Sequence, residues 1–137
     1  MNKTYVRAAT MADAENLLKW KNDPTMRKYS IVTNKKIAMK DHLKWLAKHL
    51  HEIFIIGEDF GDVRVSDGEI AIKIAPEHRG KGYGIQALQA MDRRYRGLIA
   101  KIVDGNVASM RLFIKNKYSP IGHKVTNGVG YYILKKA

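Results

Sequence analysis

Residues 69–88 read EIAIKIAPEHRGKGYGIQAL. Isoleucines at 70, 72 and 74 alternate with other residues, the pattern of a strand with one buried face. Pro76 follows, and then Gly80, Gly82 and Gly84 alternate with Lys81 and Tyr83. Beyond them Ile85, Leu88, Met91 and Tyr95 recur at helical spacing. The stretch therefore predicts a strand, a glycine turn and a helix in direct succession. The first N–H groups of a helix have no helical partner and carry partial positive charge. Glycine lets a backbone approach a ligand closely and adopt positive φ. Together these make an anion site, best suited to a phosphate.

Three phosphate-binding patterns compete for the turn. A P-loop needs GxxxxGK[ST], but here the lysine sits between glycines with no Ser or Thr after it. A dinucleotide fingerprint needs GxGxxG and an acidic residue about 20 positions on. The turn is GxGxG, the region near residue 100 reads LIAKI, and the strands before it are spaced as an antiparallel meander. The third pattern, [QR]xxGx[GA], is satisfied in full by residues 79–84, RGKGYG.

Outward from this centre, TYVRAA (4–9) reads as a first strand. Thr10 and Asp13 imitate a capping box ahead of a helix with Ala14, Leu17 and Leu18 on its apolar side. Asn22-Asp23-Pro24 stops that helix, and residues 25–37 form a loop with room for a helical turn. Leu43, Leu46, Ala47 and Leu50 mark a second amphipathic helix. EIFIIG (52–57) is a buried strand, EDFGD (58–62) a turn, and VRV a short strand. LIAKIV (98–103) is strand-like, and a helix over about 106–116 presents Met110, Phe113 and Ile114. Thr126-Asn127-Gly128 joins a final strand pair. The order predicts a mixed α/β or α+β domain around one sheet, spanning residues 1–137 as a single unit.

Composition sets the outer bounds. No apolar run approaches the ~20 residues of a membrane span, and the N-terminus lacks an apolar signal core. With no cysteine in its 137 residues, the chain has no disulfide, thiolate metal site or cysteine nucleophile. A cytoplasmic protein without a metal is the expectation. The net charge of +12 is uneven. Residues 1–50 carry eleven Lys/Arg and four Asp/Glu, residues 51–90 four and seven, and residues 91–137 ten and two. A basic body with an acidic centre attracts anionic ligands and still offers carboxylates near its middle. It differs from a uniform nucleic-acid binder, and the chain carries no recognised nucleic-acid motif.

The glycine turn in its strand–proline–helix setting resembles the GNAT superfamily of acetyl-CoA-dependent N-acetyltransferases. A second segment agrees: NVASMRLF (106–113) followed by KNKY (115–118) is similar to that family's NxxSxxLY…GF pattern. The predicted element order matches over nearly the whole chain. The resemblance implies a mixed central sheet whose two middle strands splay apart, about four helices, and acetyl-CoA as cosubstrate. It implies that backbone groups of Ile72, Lys73 and Ile74 hold the pantetheine arm. Arg79 opens the motif, and the amides of Gly80, Lys81, Gly82, Tyr83, Gly84 and Ile85 hold the pyrophosphate. Asn106 with Ser109 nearby completes the cofactor set. Asn106 also reads simply as a helix N-cap, and Ser109 as a first-turn residue.

The chemistry the resemblance implies is amine attack on a thioester. Removing the proton of a lysine-like amine, pKa ~10.4, costs roughly 4–5 kcal/mol at pH 7. A carboxylate can accept it. Glu69, at the start of the strand before the turn, is the first candidate, and a solvated strand-end residue is its alternative reading. Asp67 and His123 are weaker candidates. Some relatives carry a glutamate on the following strand, where Lys101 stands here. The family's usual proton-donating tyrosine is replaced by Phe113, and Tyr118, Tyr131 or Tyr132 could substitute. Losing such an acid costs roughly 10²–10⁴ in rate. This departure motivates a second reading, an acyl-CoA-binding module without catalysis.

The segment WKNDPTMRKYS (20–30) also resembles amino-sugar and nucleotide-sugar N-acetyltransferases, and relatives that acetylate protein N-termini. That implies Trp20 stacking on a sugar or base and Arg27 pairing with a phosphate, against the plainer reading of a core tryptophan and a capped helix. The expected partner is a small-molecule amine, anionic in keeping with the charge, with a homodimer as the oligomeric expectation and neither membrane nor nucleic acid.

Overall fold

The computed structural model describes residues 5–31 and 35–137. Seven strands form one sheet: β1 (Val6–Ala8), β2 (Ile53–Ile56), β3 (Gly61–Ser66), β4 (Glu69–Ile74), β5 (Ile99–Val103), β6 (Tyr118–Thr126) and β7 (Val129–Lys136). Their spatial order is β1-β2-β3-β4-β5-β7-β6. Five α-helices accompany them: α1 (Ala14–Lys21), α2 (Pro24–Lys28), α3 (Met39–His49), α4 (Tyr83–Arg94) and α5 (Val107–Lys115). Strands β2 to β4 form the expected antiparallel meander, and β1 pairs antiparallel with β2.

Strands β4 and β5 run parallel and meet at one end only. Glu69 pairs with Ile99, and the Ile99 N–H donates to the Gly68 carbonyl at 2.8 Å. Beyond that point no ladder joins them, so the sheet opens into a V toward the ends of both strands. β5 is then held on its other side by β7.

The two-residue alternation of the strands sorts the core into two layers. One face carries Phe54, Ile56, Val63, Ile70 and Ile102 and is covered by α4 and α5 through Leu88, Met91 and Phe113. Leu88 and Met91 are both 0% exposed, worth about 1.5–3 kcal/mol each in area removed from water. The other face carries Ile53 and Ile55 and is covered by α1 and α3. By the same alternation Asp62, Lys73, Glu69 and Lys101 project on this second face.

Several expectations needed correction. Thr4, proposed as the first residue of β1, lies outside the described residues. Gly61 and Asp62 belong to β3 and not to a turn. A Cβ on Gly61 would overlap the Lys73 carbonyl, so only glycine allows β3 and β4 this close. The buried face of α3 is rotated: His42 and Leu46 are buried, while Leu43 is 40% exposed and Ala47 is also exposed. Leu43 and Ala47 sit one position off a face that packs on α1 through His42 and Trp45. Tyr95 stands beyond the end of α4, and Ile114 is 46% exposed. The Thr10–Asp13 capping box does form, with the Thr10 N–H donating to Asp13 Oδ2 at 2.8 Å. Asp13 then pairs with Arg7 at 2.8 Å. No helix among the described residues is long and apolar enough to cross a membrane.

Candidate active site

The V between β4 and β5 opens into two adjoining cavities, of about 620 and 450 Å³. Met26, Tyr29, Ile72, Asn106, Ser109 and Leu112 line both, so the cavities meet over the splayed strands.

The smaller cavity lies under the glycine turn. Gly80 and Gly82 take φ of +75° and +84°, and Gly82 is the residue from which α4 springs. The first backbone bond of α4 runs from the Gln86 N–H to the Gly82 carbonyl, 3.2 Å. The amides of Tyr83, Gly84 and Ile85 are thus left without a helical acceptor. A Cβ on Gly80 or Gly82 would meet no atom within 4 Å, so the turn faces open space. Tyr83 stacks on Phe60 with centroids 4.1 Å apart, which fixes the helix entry. Arg79 is committed to the scaffold: its Nε donates to the Ile74 carbonyl and its Nη2 to Asp23 Oδ2, both at 3.0 Å. Of residues 79–85, all but Lys81 line this cavity. Donor amides, a helix N-terminus and open space above glycines fit a polyphosphate.

The short helix α2 spans the mouth of the V. Asp23 caps it by accepting from the Met26 N–H at 3.3 Å and ties it to the glycine turn through Arg79. At its other end the Tyr29 hydroxyl donates to the Gly105 carbonyl, 3.4 Å away in the β5–α5 loop. Asn106 accepts from the Ser109 N–H at 3.3 Å and lines both cavities, so its two readings, cap and cavity wall, describe the same residue.

The larger cavity covers the second face of the sheet and is rich in cations: Lys21, Arg27, Lys35, Arg64, Lys73 and Lys101. Arg64 pairs with Glu52 at 2.7 Å, Lys73 with Asp62 at 3.6 Å and Lys101 with Glu69 at 3.0 Å. Burial pushes the Asp62 carboxyl up, and Lys73 and Lys21 oppose that. Neither Lys21 nor Arg27 has a carboxylate within 4 Å among the described residues. Lys21 lies over the Trp45 ring, 3.1 Å from its centroid. Burial first, and the Lys73 charge second, pushes its ammonium down to about 8.

The structure separates the remaining candidates. Glu69 is on the face that the larger cavity covers but reaches the cavity only through Lys101, whose ammonium it holds above its ordinary range. Trp20 is a core residue, 3% exposed and packed with Leu17, Leu46 and Ile55; the indole that lines the cavity is Trp45. Asp67 sits in the β3–β4 turn, and His123 pairs with Asp104 at 2.9 Å; neither lines either of these two cavities. Tyr118 is buried with its hydroxyl donating to Asp92 at 2.7 Å, Tyr131 bonds Thr126 at 3.0 Å, and Tyr132 packs on His123. Tyr29 lines both cavities and escaped the sequence reading, as did Lys21, His42 and Trp45. No group of three or more metal-ligating side chains occurs among the described residues.

The family model for the acetyltransferase (GNAT) domain matches residues 3–119. None of the curated proteins compared matches the chain. Solved structures do. A spermidine N-acetyltransferase from Vibrio cholerae, in complex with CoA and spermine, has a TM-score of 0.83 at 18% identity, covering 97% of this chain and 94% of that one. The protein yncA of Salmonella typhimurium, with its cofactor acetyl-CoA, has a TM-score of 0.76 at 19% identity, covering 98% and 93%. A ribosomal-protein-alanine N-acetyltransferase from Brucella melitensis has a TM-score of 0.73 at 23% identity, covering 96% and 98%. At these identities the likeness is one of fold.

Proposed function

The chain belongs to the GNAT acetyltransferase family, and from that premise we propose that it transfers the acetyl group of acetyl-CoA to the primary amine of a small anionic molecule, an amino sugar or nucleotide-linked amino sugar. The observation that carries the reading is the pair of joined cavities, one roofed by free amides and the other lined by cations. When bound, acetyl-CoA supplies an acetyl group activated as a thioester. In this reading the amides of Gly80 to Ile85 hold its pyrophosphate. Backbone groups of Ile72, Lys73 and Ile74, left without a partner strand on the β5 side by the splay, and Asn106 with Ser109 hold the pantetheine arm.

Lys21 and Arg27 hold the acceptor's anionic group, since both keep their charge free of a carboxylate partner. Glu69 Oε1 takes the amine proton, exchanging its 3.0 Å pair with Lys101 for the acceptor ammonium. Phe113, in the acceptor-cavity wall, donates no proton. A thiol of pKa ~8.5 leaves as thiolate without an obligatory acid, so its presence is compatible with turnover. Residues 1–137 act as one domain in this account, and the absence of cysteine supports a cytoplasmic setting.

Thermal unfolding with CoA tests the first half. CoA raises the melting temperature of the wild type, and Gly82→Glu, which puts a carboxylate among the turn amides, abolishes the rise. No stabilisation at millimolar CoA would count against the reading. CoA binding without thiol release across a broad amine panel would favour a non-catalytic acyl-CoA-binding module.

A further inference from the structure

Among the described residues, the walls of the two cavities hold many cations and one carboxylate, that of Asp41. Glu69 and Asp62 line neither. Asp41 lies in the first turn of α3, and Trp45, one turn further on, lines the larger cavity with it. Positions i and i+4 share a helix face, so both residues present the same side of α3 to the cavity. One carbon separates the carboxylate of an aspartate from its backbone, which keeps the oxygens of Asp41 close to the wall. The residue is exposed, so a ligand entering from solvent can reach them.

The charge of Asp41 has no partner within the protein. Among the described residues no cation stands within 4 Å of it and no hydrogen bond reaches it. The carboxylates behind the wall differ: Glu52, Asp62 and Glu69 each pair with a wall cation, Arg64, Lys73 and Lys101 in turn. An acid in the first turn of a helix also complements the helix dipole. That role does not call for a place in a cavity wall, since Glu15 holds the equivalent turn of α1 and lines neither cavity. The wall thus offers an incoming molecule unpaired charge of both signs, Lys21 and Arg27 on one side and Asp41 on the other. An amine of pKa ~10.4 arrives almost wholly protonated at pH 7. The wall cations repel that ammonium, and Asp41 attracts it. The nitrogen is positive as ammonium, and positive again once the neutral amine has bonded to the thioester carbon. Asp41 attracts both forms alike, so it acts on binding, while the proton transfer stays with Glu69.

We propose that Asp41 pairs with the ammonium of the acceptor while Lys21 and Arg27 hold its anion, so that the larger cavity selects a zwitterion over a simple anion or a polyamine. The inference rests on the acetyltransferase reading and deepens it.

The test uses two ligands that differ only at the amine, glucosamine 6-phosphate and glucose 6-phosphate. Each is titrated calorimetrically into the full chain with desulfo-CoA present. The wild type binds the amino sugar about tenfold or more tightly than the plain sugar. In Asp41→Asn most of that ratio is lost, through weaker binding of the amino sugar. Lys21→Met weakens both ligands and keeps the ratio. Glu15→Gln removes the matching first-turn charge of α1 and changes neither affinity. A dipole role alone would leave the ratio unmoved in Asp41→Asn as well. With acetyl-CoA, Asp41→Asn raises KM for glucosamine 6-phosphate about tenfold and leaves kcat within about twofold. The inference is overturned by equal affinities in the wild type, by a ratio that survives in Asp41→Asn, or by a fall in kcat with KM unmoved. It is also overturned if neither sugar phosphate binds while CoA still raises the melting temperature. Loss of that rise as well would overturn the acetyltransferase reading beneath it.

Discussion

Gly82 and Gly68 make a matched pair that isolates ligand binding from backbone strain. Both are left-handed, with φ of +84° and +79°, and a Cβ on either meets no atom within 4 Å. Alanine at either site incurs the left-handed penalty, about 1–2 kcal/mol. Restricting the unfolded chain returns roughly 0.4–1 kcal/mol, so the net loss is about 1 kcal/mol for both. For a domain of this size that is a fall of roughly 4 °C in melting temperature. The two differ in what the new methyl faces. Gly82 lines the cavity under the turn, whereas Gly68 sits in the β3–β4 hairpin and lines neither cavity. In Gly82→Ala the methyl projects where a pyrophosphate would approach the amides of Tyr83, Gly84 and Ile85. Losing one or two charge-assisted hydrogen bonds, about 1.5–3 kcal/mol each, weakens CoA binding at least tenfold. Titration calorimetry with CoA on both variants reads this directly. Equal CoA affinity in Gly82→Ala and Gly68→Ala would refute the placement of the pyrophosphate on the glycine turn.

Other outcomes follow from the same geometry. Glu69→Gln lowers kcat by roughly 10²–10⁴ in steady-state assays if its carboxylate takes the amine proton. It costs under about 1 kcal/mol in stability, since both partners of its ion pair are more than a third exposed. Tyr118→Phe removes the 2.7 Å bond to half-buried Asp92 and costs about 1–3 kcal/mol in denaturant melts, while kcat stays at the wild-type value. Lys21, with its ammonium at about 8, is charged below that pH and neutral above it. The KM for an anionic acceptor therefore rises as pH passes upward through 8, and Lys21→Met removes that rise. Because the Lys21 value lies below its ordinary 10.5, the unfolded chain binds the extra proton between the two, and Lys21's contribution to stability grows with pH across that window.

The fold was legible where local chemistry and tertiary demand agree. The isoleucine alternation of β4, the glycines before α4 and the Asn127-Gly128 turn each impose one backbone geometry, and each forms where expected. Legibility failed where packing overrode pattern. His42 occupies a buried position that hydropathy assigns to its apolar neighbour Leu43, because α3 packs on α1 through a histidine–tryptophan pair. Trp20 and Trp45 are alike in sequence, yet only the folded helix pair decides which indole faces the core. The smaller cavity was readable because the groups that edge it are backbone amides fixed by a contiguous motif. The larger cavity was not, because it gathers side chains from α1, α2, α3, α5 and three strands. A histidine inside an amphipathic helix beside a tryptophan was the available signal for His42.

The most direct measurement is thiol release from acetyl-CoA by the intact protein across amino-sugar phosphates, nucleotide-linked amino sugars, polyamines and peptides, with products identified by mass. The account predicts thiol release coupled to N-acetylation of an anionic amino sugar, lost in Gly82→Glu. Release with no anionic amine, or acetylation of polyamines alone, would contradict it.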